Sequence, residues 1–499
     1  MSAALLPAAL ARACSEVRPA GPDDAVAGVA PRYVARPADV AEASAVMQAA
    51  AAEGLAAVPR GAGTRLGWGG PPTRCDLIID TGRMIRVLEH AAGDQVVRVQ
   101  AGIGLDQLAA VLGRAGQRLA LDPPAVLSPL AGAGNGSAPG TAGGSGPSGS
   151  GVSPGGAVPP RGDTVGGVLA VGAAGPLRLR YGTPRDLNIG ITVVRADGTV
   201  ASSGGKVVKN VAGYDLGKLF AGSFGTLGLI VEAAFRLHPL PGAASFVTLD
   251  CADAAAAHAA IATAADSPLA PSAAEIDRPR RRAPVRVGVL LEGDPDGVAE
   301  RAARMTELLG GCVASVSPAP PAWWGRGAAA AGAGTVIRIA FWAAALTGVL
   351  RAVDTAASAA GLDPALGGSA AAGVLYAAVD ERAPPSAVSE FVQALRAAFG
   401  ELAAGTSAAG LVYGTASPSA GPRSEPASPT ADRSSRPAGP ASLAGAPSRA
   451  SAVVLHAPAA VRAAVDLWGP VPALGLMRAV KDRFDPEHRM APGRFAGGI

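Results

Sequence analysis

The stretch Pro59-Arg60-Gly61-Ala62-Gly63-Thr64-Arg65-Leu66-Gly67-Trp68-Gly69-Gly70 decides the reading of the chain. Glycine lacks the Cβ that blocks close approach and positive φ, so a loop this rich in it can curl its N–H groups around an anion. The stretch therefore reads as a pyrophosphate cradle. The competing reading is a long surface loop, which glycine content alone favours, and the rest of the chain decides between the two.

The composition narrows the classes. A chain of 499 residues has room for two or three domains. Its 43 basic and 39 acidic residues nearly balance at a net charge of +4. No Lys/Arg run with interleaved aromatics is present, which speaks against nucleic-acid binding. Cys14, Cys75, Cys251 and Cys312 are dispersed, with no C-x-x-C spacing. That argues against a cluster or zinc site and suits a reducing cytoplasm, the expected location. Met1 to Ala13 is apolar but lacks a basic n-region and is too short to span a bilayer, so it reads as a helix start and no transmembrane segment is expected.

Outward from the glycine loop, Asp39 and Gly54 bracket an Ala-rich helix, and Ala57-Val58-Pro59 is a brief strand that enters the loop. Asp76–Asp80 and Gln95–Gln100 read as strands, and Gly102-Ile103-Gly104 opens a helix over Leu105–Arg114. A dinucleotide fingerprint would need glycine at position 107, which is Gln107, so a Rossmann reading is rejected. Asp122-Pro123-Pro124 makes a rigid corner. Residues 125–162 then lose almost all charge and read as a disordered low-complexity insertion, as do residues 416–451. Between them come Thr164-Val165-Gly166-Gly167, Tyr181-Gly182, Arg185-Asp186 and a strand Asn188–Val194. A hairpin turn at Asp197-Gly198, the run Lys206 to Asp215, and Gly225-Thr226-Leu227-Gly228 follow.

These pieces, in this order, resemble the FAD-binding domain of the vanillyl-alcohol oxidase and p-cresol methylhydroxylase (PCMH) flavoprotein superfamily. Within it, Lys206-x-x-Lys209-Asn210-Val211-Ala212-Gly213-Tyr214-Asp215 resembles the smaller, GlcE-like FAD subunit of bacterial glycolate oxidase. The resemblance implies an α+β chain: an extension over 1–29, a two-part PCMH-type FAD-binding domain over 30–241, an α+β cap over 242–483 and a closing segment over 484–499. It implies FAD contacts from Pro59, Arg60, Gly61, Ala62, Gly63, Thr64, Asp122, Pro123, Pro124, Thr164, Gly166, Gly167, Gly225, Thr226, Gly228 and Ile230. Some relatives end the loop in a histidine bonded to the flavin. Thr64 stands there, so FAD is expected to be noncovalent. Lys206, Lys209 and Lys218 read equally as a solvated face or as a docking or cofactor-side group.

The second half alternates strands at Phe246–Leu249, Val285–Leu291, Val336–Phe341, Val374–Val379 and Val453–His456 with helices such as Gly297–Leu309 and Ser386–Phe399. That is the pattern of one sheet covered by helices. The His-x-Gly-Asp-Gly-Asn-x-His segment of relatives that oxidise 2-hydroxy acids is absent, and His238, His258, His456 and His488 are isolated. Each reads as structural or exposed rather than catalytic, and Trp323, Trp324 and Trp342 as cap core or interface. Lys481-Asp482-Arg483-Phe484-Asp485-Pro486 and Ala491-Pro492-Gly493-Arg494 resemble the family's closing motif, with Ala491 in place of asparagine and Arg494 as a further cofactor-side residue.

The resemblance implies an FAD subunit of a glycolate oxidase-type complex. A small 2-hydroxy acid is its substrate, and a larger FAD subunit and an iron-sulfur subunit are its partners, with the complex peripheral to the inner membrane through them. A self-sufficient FAD-linked oxidase of another small alcohol or hydroxy acid, and a noncatalytic assembly subunit, are the alternatives. No metal site is expected, and no catalytic residue is singled out by the sequence.

Overall fold

A computed structural model describes residues 7–124, 162–205, 215–310, 313–327, 333–404 and 450–499. Nearly all of both low-complexity runs, and residues 206–214 with Lys206 and Lys209, lie outside the described residues. One boundary is corrected: Ala450 and Ser451, placed at the end of the second run, begin a strand, and Ala450 is buried. Lys218 makes an exposed ion pair with Asp215.

The first sheet holds β1 (Val17–Pro19), β2 (Tyr33–Ala35), β3 (Ala57–Arg60) and β4 (Leu77–Asp80) in the order β1-β2-β4-β3. β2 and β3 run parallel to β4. Leu77, Ile78 and Ile79 are all fully buried, the continuous apolar run that a covered parallel strand requires. The helix Val40–Ala52 makes the crossover between β2 and β3, capped by the Asp39 carboxylate, which accepts the Glu42 N–H at 2.9 Å.

The second sheet is antiparallel. It is built from β5 (Val87–Ala91), β6 (Val96–Gln100), β8 (Asn188–Val194), β9 (Val200–Gly204) and β10 (Leu229–Arg236) in the order β5-β6-β10-β8-β9, while β7 (Gln117–Arg118) stands apart and pairs β11 (His238–Pro239). The Asp197-Gly198 turn joins β8 to β9, with Gly198 at φ +85°. Helices Leu105–Gly113 and Val165–Val171 press Leu108, Leu112, Val165 and Leu169 onto Val97, Val99, Ile191 and Phe235.

The second half forms one eight-stranded antiparallel sheet. Its strands are β12 (Ala243–Cys251), β13 (Ala273–Arg278), β14 (Val285–Gly293), β15 (Ser315–Ser317), β16 (Ala333–Phe341), β17 (Ala365–Gly368), β18 (Val374–Asp380) and β19 (Ala450–His456). Their order is β15-β12-β14-β13-β17-β18-β16-β19. Strands expected from sequence are all present; β13, β15 and β17 were not anticipated. Ala-Leu-Gly-Gly in β17 carries no β-branched residue, so its strand state comes from its neighbours.

Alternation along these strands separates two faces. Val247, Val287, Val289, Ile337, Ile339, Leu375 and Ala377 pack against Leu350, Val353, Phe391 and Leu395 of the covering helices. Tyr376, Ala378 and Leu455 point the other way and pack on Trp68, Val168, Ala173 and Phe224 of the first half. The cap sheet is thus roofed by helices on one side and seated on the glycine loop's domain on the other. Arg118 and Glu292 lock the junction with two 2.7 Å bonds, and Phe224, Trp468 and Phe495 stack with centroids 4.8–5.6 Å apart.

Candidate functional site

β3 delivers the chain into the glycine loop with its backbone donors unused. Among the described residues, the N–H groups of Gly61, Ala62, Gly63, Thr64 and Arg65 meet no protein acceptor. Consecutive free N–H groups on a glycine-rich turn form a nest for an anion. The side chains of the loop are engaged elsewhere. Arg60 binds Asp24 at 2.8 Å and Asp80 at 2.8 Å, so its backbone is what it offers the loop. The Thr64 hydroxyl donates to Asp163 at 2.6 Å, and Arg65 bridges Asp163 to the Pro124 carbonyl, the latter at 3.0 Å.

The C-terminal segment braces the loop from behind. Arg494 is buried and donates to the carbonyls of Leu66 at 3.0 Å and Trp68 at 2.8 Å. No carboxylate pairs with it among the described residues, and burial lowers it to about 10. A buried cation without a counterion, held on the carbonyls that follow the free N–H groups in the same loop, favours an anion on the loop. The backbone completes the seam, with Gly69 N–H to Leu455 at 2.9 Å and Gly70 N–H to Arg494 at 3.1 Å. A Cβ on Gly69 or Gly70 would fall 2.6 or 2.5 Å from the carbonyls of Arg494 or Gly493, so these glycines serve close packing.

The other sequence-derived positions divide into two groups. Thr164, Gly225 and Pro59 gather at the loop: a Cβ on Gly61 would lie 2.1 Å from Thr164 Oγ1, and one on Gly225 3.2 Å from Pro59. Thr226 is buried, and its carbonyl accepts from Lys481 at 2.7 Å. The second group is occupied by the fold. Gly166 N–H bonds Ala101 at 2.8 Å and Gly167 N–H bonds the Thr164 hydroxyl at 3.2 Å, so this corner is a helix cap with no free donors. Ile230 lies in the core of the second sheet, and Gly228 sits against Val194. Asp122, with Pro123 beside it, faces the cap junction and accepts the Leu177 N–H at 2.9 Å; burial raises it to about 7.

Two cap residues that sequence reasoning did not single out as functional face the same junction. Arg338 on β16 lies opposite Tyr376 of β18, on the face turned to the first half. Among the described residues its guanidinium makes no ion pair or hydrogen bond, and burial together with nearby Arg178 lowers it. His456 Nδ1 lies 3.3 Å from the Gly67 carbonyl. Neither is legible in sequence, because an isolated arginine or histidine in a strand carries no spacing signal. The other isolated histidines have ordinary partners: His238 stacks on Tyr181, His258 meets Thr347 and His488 meets Asp482.

With this geometry in place, residues 31–153 match the family described as "FAD binding domain". The chain carries an FAD-binding domain. It is 32% identical over 212 residues to the glycolate oxidase subunit GlcD of Bacillus subtilis strain 168, across 42% of this chain and 38% of that one. It is 44% identical over 80 residues to the glycolate oxidase subunit GlcE of Escherichia coli K12, across 16% of this chain and 23% of that one. The matched stretches thus span well under half of these relatives. An alkyldihydroxyacetonephosphate synthase structure shares the fold, with a TM-score of 0.60 at 16% identity over 93% of this chain and 78% of that chain. An α+β chain with an FAD-binding domain followed by a cap is the architecture.

The residues fit FAD on their own chemistry. The free N–H groups of Gly61 to Arg65 and the uncompensated Arg494 suit a pyrophosphate. Ser223 Oγ and Arg65 Nε are buried without a partner beside the same turns. The Thr64 hydroxyl, held by Asp163, suits noncovalent binding. Among the described residues no helix is long and apolar enough to cross a membrane.

Proposed function

We propose that this chain is the FAD-binding subunit of a glycolate oxidase-type complex and takes part in FAD-linked oxidation of a small 2-hydroxy acid. The observation that carries the substrate class is Arg338. A half-buried guanidinium with no carboxylate partner among the described residues is costly on its own, and a carboxylate ligand offers it two parallel hydrogen bonds. Its place on the cap face, opposite the FAD-binding half, sets that carboxylate at the junction. Bound FAD supplies the two-electron acceptor. This chain's residues hold its pyrophosphate on the Gly61–Arg65 donors, balance it with Arg494, and orient the substrate through Arg338. The dispersed cysteines, which lack cluster-ligand spacing, support an iron-sulfur centre carried by a partner, and the names of the GlcD and GlcE relatives support a complex with a larger FAD subunit.

Anaerobic addition of glycolate or D-lactate to the FAD-loaded chain tests this. Bleaching of the flavin's visible absorbance is expected, and Arg338→Leu should raise the half-saturating acid concentration by about tenfold or more, the loss of one charged hydrogen-bonded contact. Bleaching only when the larger subunit is present would move the oxidation to that partner. Bleaching by neither acid in either preparation would remove the proposal.

A further inference from the structure

β19 does not pair evenly with β16. Val336 stands opposite His456 and Ile337 opposite Val454, so one residue, Leu455, is inserted between them. A bulge of this kind re-aims side chains and is found beside functional sites. Here it turns both Leu455 and His456 to the face that meets the first half. Leu455 packs with Trp68 and Phe224 there, its carbonyl accepts the Gly69 N–H, and His456 reaches Gly67. Without the bulge, strict alternation would send His456 to the helix-covered face.

The environment fixes the ring's chemistry. The Gly67 carbonyl can only accept, so Nδ1 carries the proton and Nε2 presents a lone pair. Nε2 has no protein partner among the described residues. Burial is the largest effect and favours the neutral ring; the Gly67 bond opposes it only in part, and the neighbouring Arg462 guanidinium adds to burial. His456 stands two positions along the β16–β19 pair from Arg338, on the same face.

We infer that His456 is the proton acceptor for the substrate hydroxyl, a catalytic role resting on the 2-hydroxy acid reading above. In the step, the hydroxyl proton passes to Nε2 as the C2–H bond breaks. Bound FAD would supply the two-electron acceptor for that bond's hydrogen and electron pair, so that the carbinol becomes a carbonyl, and the imidazolium later releases its proton to water. Arg338 holds the carboxylate and His456 removes the proton from the adjacent carbon's hydroxyl, a division that needs two cationic or basic groups on one face.

The test uses the FAD-loaded full chain and His456→Gln, whose amide N–H can still donate to Gly67 but which has no basic nitrogen. Binding of FAD, and of oxalate read through the flavin spectrum, is expected to stay within about threefold of the parent. Flavin reduction by substrate should slow by about 100-fold or more and lose the acid limb of its pH profile. Reduction of His456→Gln within about threefold of the parent rate overturns the inference, as does an equal loss of FAD binding, which would make His456 a brace for the loop. Should His456→Gln not fold, nitrogen NMR of imidazole-labelled parent protein decides: a neutral ring protonated on Nδ1 supports the role, and one protonated on Nε2 overturns it. A parent chain reduced by no 2-hydroxy acid, alone or with the larger subunit, overturns both readings; reduction only with the larger subunit, or equal reduction of parent and variant, overturns this one alone.

Discussion

Lys481 and Asp485 are both fully buried and bound at 2.7 Å, one helical turn apart at the end of the helix Leu474–Phe484. The lysine also donates to the carbonyls of Thr226 at 2.7 Å and Met490 at 2.8 Å, while Asp485 accepts the Met490 N–H at 2.7 Å. One ion pair therefore ties the turn Gly225–Gly228, the last long helix and the closing segment together. Replacing Lys481 by Met leaves a buried carboxylate without its cation and should cost about 3–5 kcal/mol, measured by denaturant unfolding. A cost under about 1 kcal/mol would mean that water reaches the pair.

Gly61 is expected to tolerate no side chain, for a reason internal to the protein. Gly61→Ala sets a Cβ against the Thr164 hydroxyl and should weaken FAD binding by at least about tenfold. Removing that hydroxyl in Gly61→Ala/Thr164→Ala should restore part of the affinity while costing about 1 kcal/mol of stability through the lost helix cap. Flavin titration and thermal melting separate the two effects; no recovery in the double variant would show that the phosphate, rather than Thr164, needs the space.

Arg494 spans two carbonyls with a planar fork. Arg494→Lys keeps the charge but cannot bridge Leu66 and Trp68 in the same geometry, so it should lose FAD affinity nearly as far as Arg494→Met. Equilibrium dialysis with FAD gives the comparison. Full retention in the lysine variant would assign Arg494 a purely electrostatic role.

The cap junction should loosen in base. Burial raises Asp122 to about 7 and Glu275 to about 8, and Glu275 accepts from the Ser369 hydroxyl. Because both folded values lie above the ordinary carboxylate range of about 4, the folded chain holds protons that the unfolded chain has released. The stability they contribute is complete below that range and is lost as pH rises through about 7 to 8. The melting temperature should therefore fall between about pH 4 and about pH 8 and level off above, and Glu275→Gln should flatten that fall. An unchanged slope in the glutamine variant would assign the pH dependence to other groups.

The N-terminal elements were legible in the sequence because their signals are local. Asp39 followed by an Ala-rich run gave the helix cap, Leu77-Ile78-Ile79 gave a buried strand, and Asp197-Gly198 gave the hairpin. The strands β13, β15 and β17 were not legible, since Ala273–Arg278 breaks its apolar run with Glu275 and Asp277 and β17 is half glycine. Their strand state depends on edges supplied from far along the chain.

The same division holds at the site. By itself the sequence determined that Pro59–Gly70 is a glycine-rich loop whose N–H groups can approach an anion closely, because the absence of Cβ atoms is a property of the residues. Only the tertiary structure decided what that loop faces. Thr164 lies against Gly61, Arg494 lies beneath Leu66 and Trp68, and a one-residue bulge turns His456 toward Gly67. Each of these contacts joins residues about a hundred or more positions apart, so no local pattern encodes it; the sheet register and the returning C-terminus do.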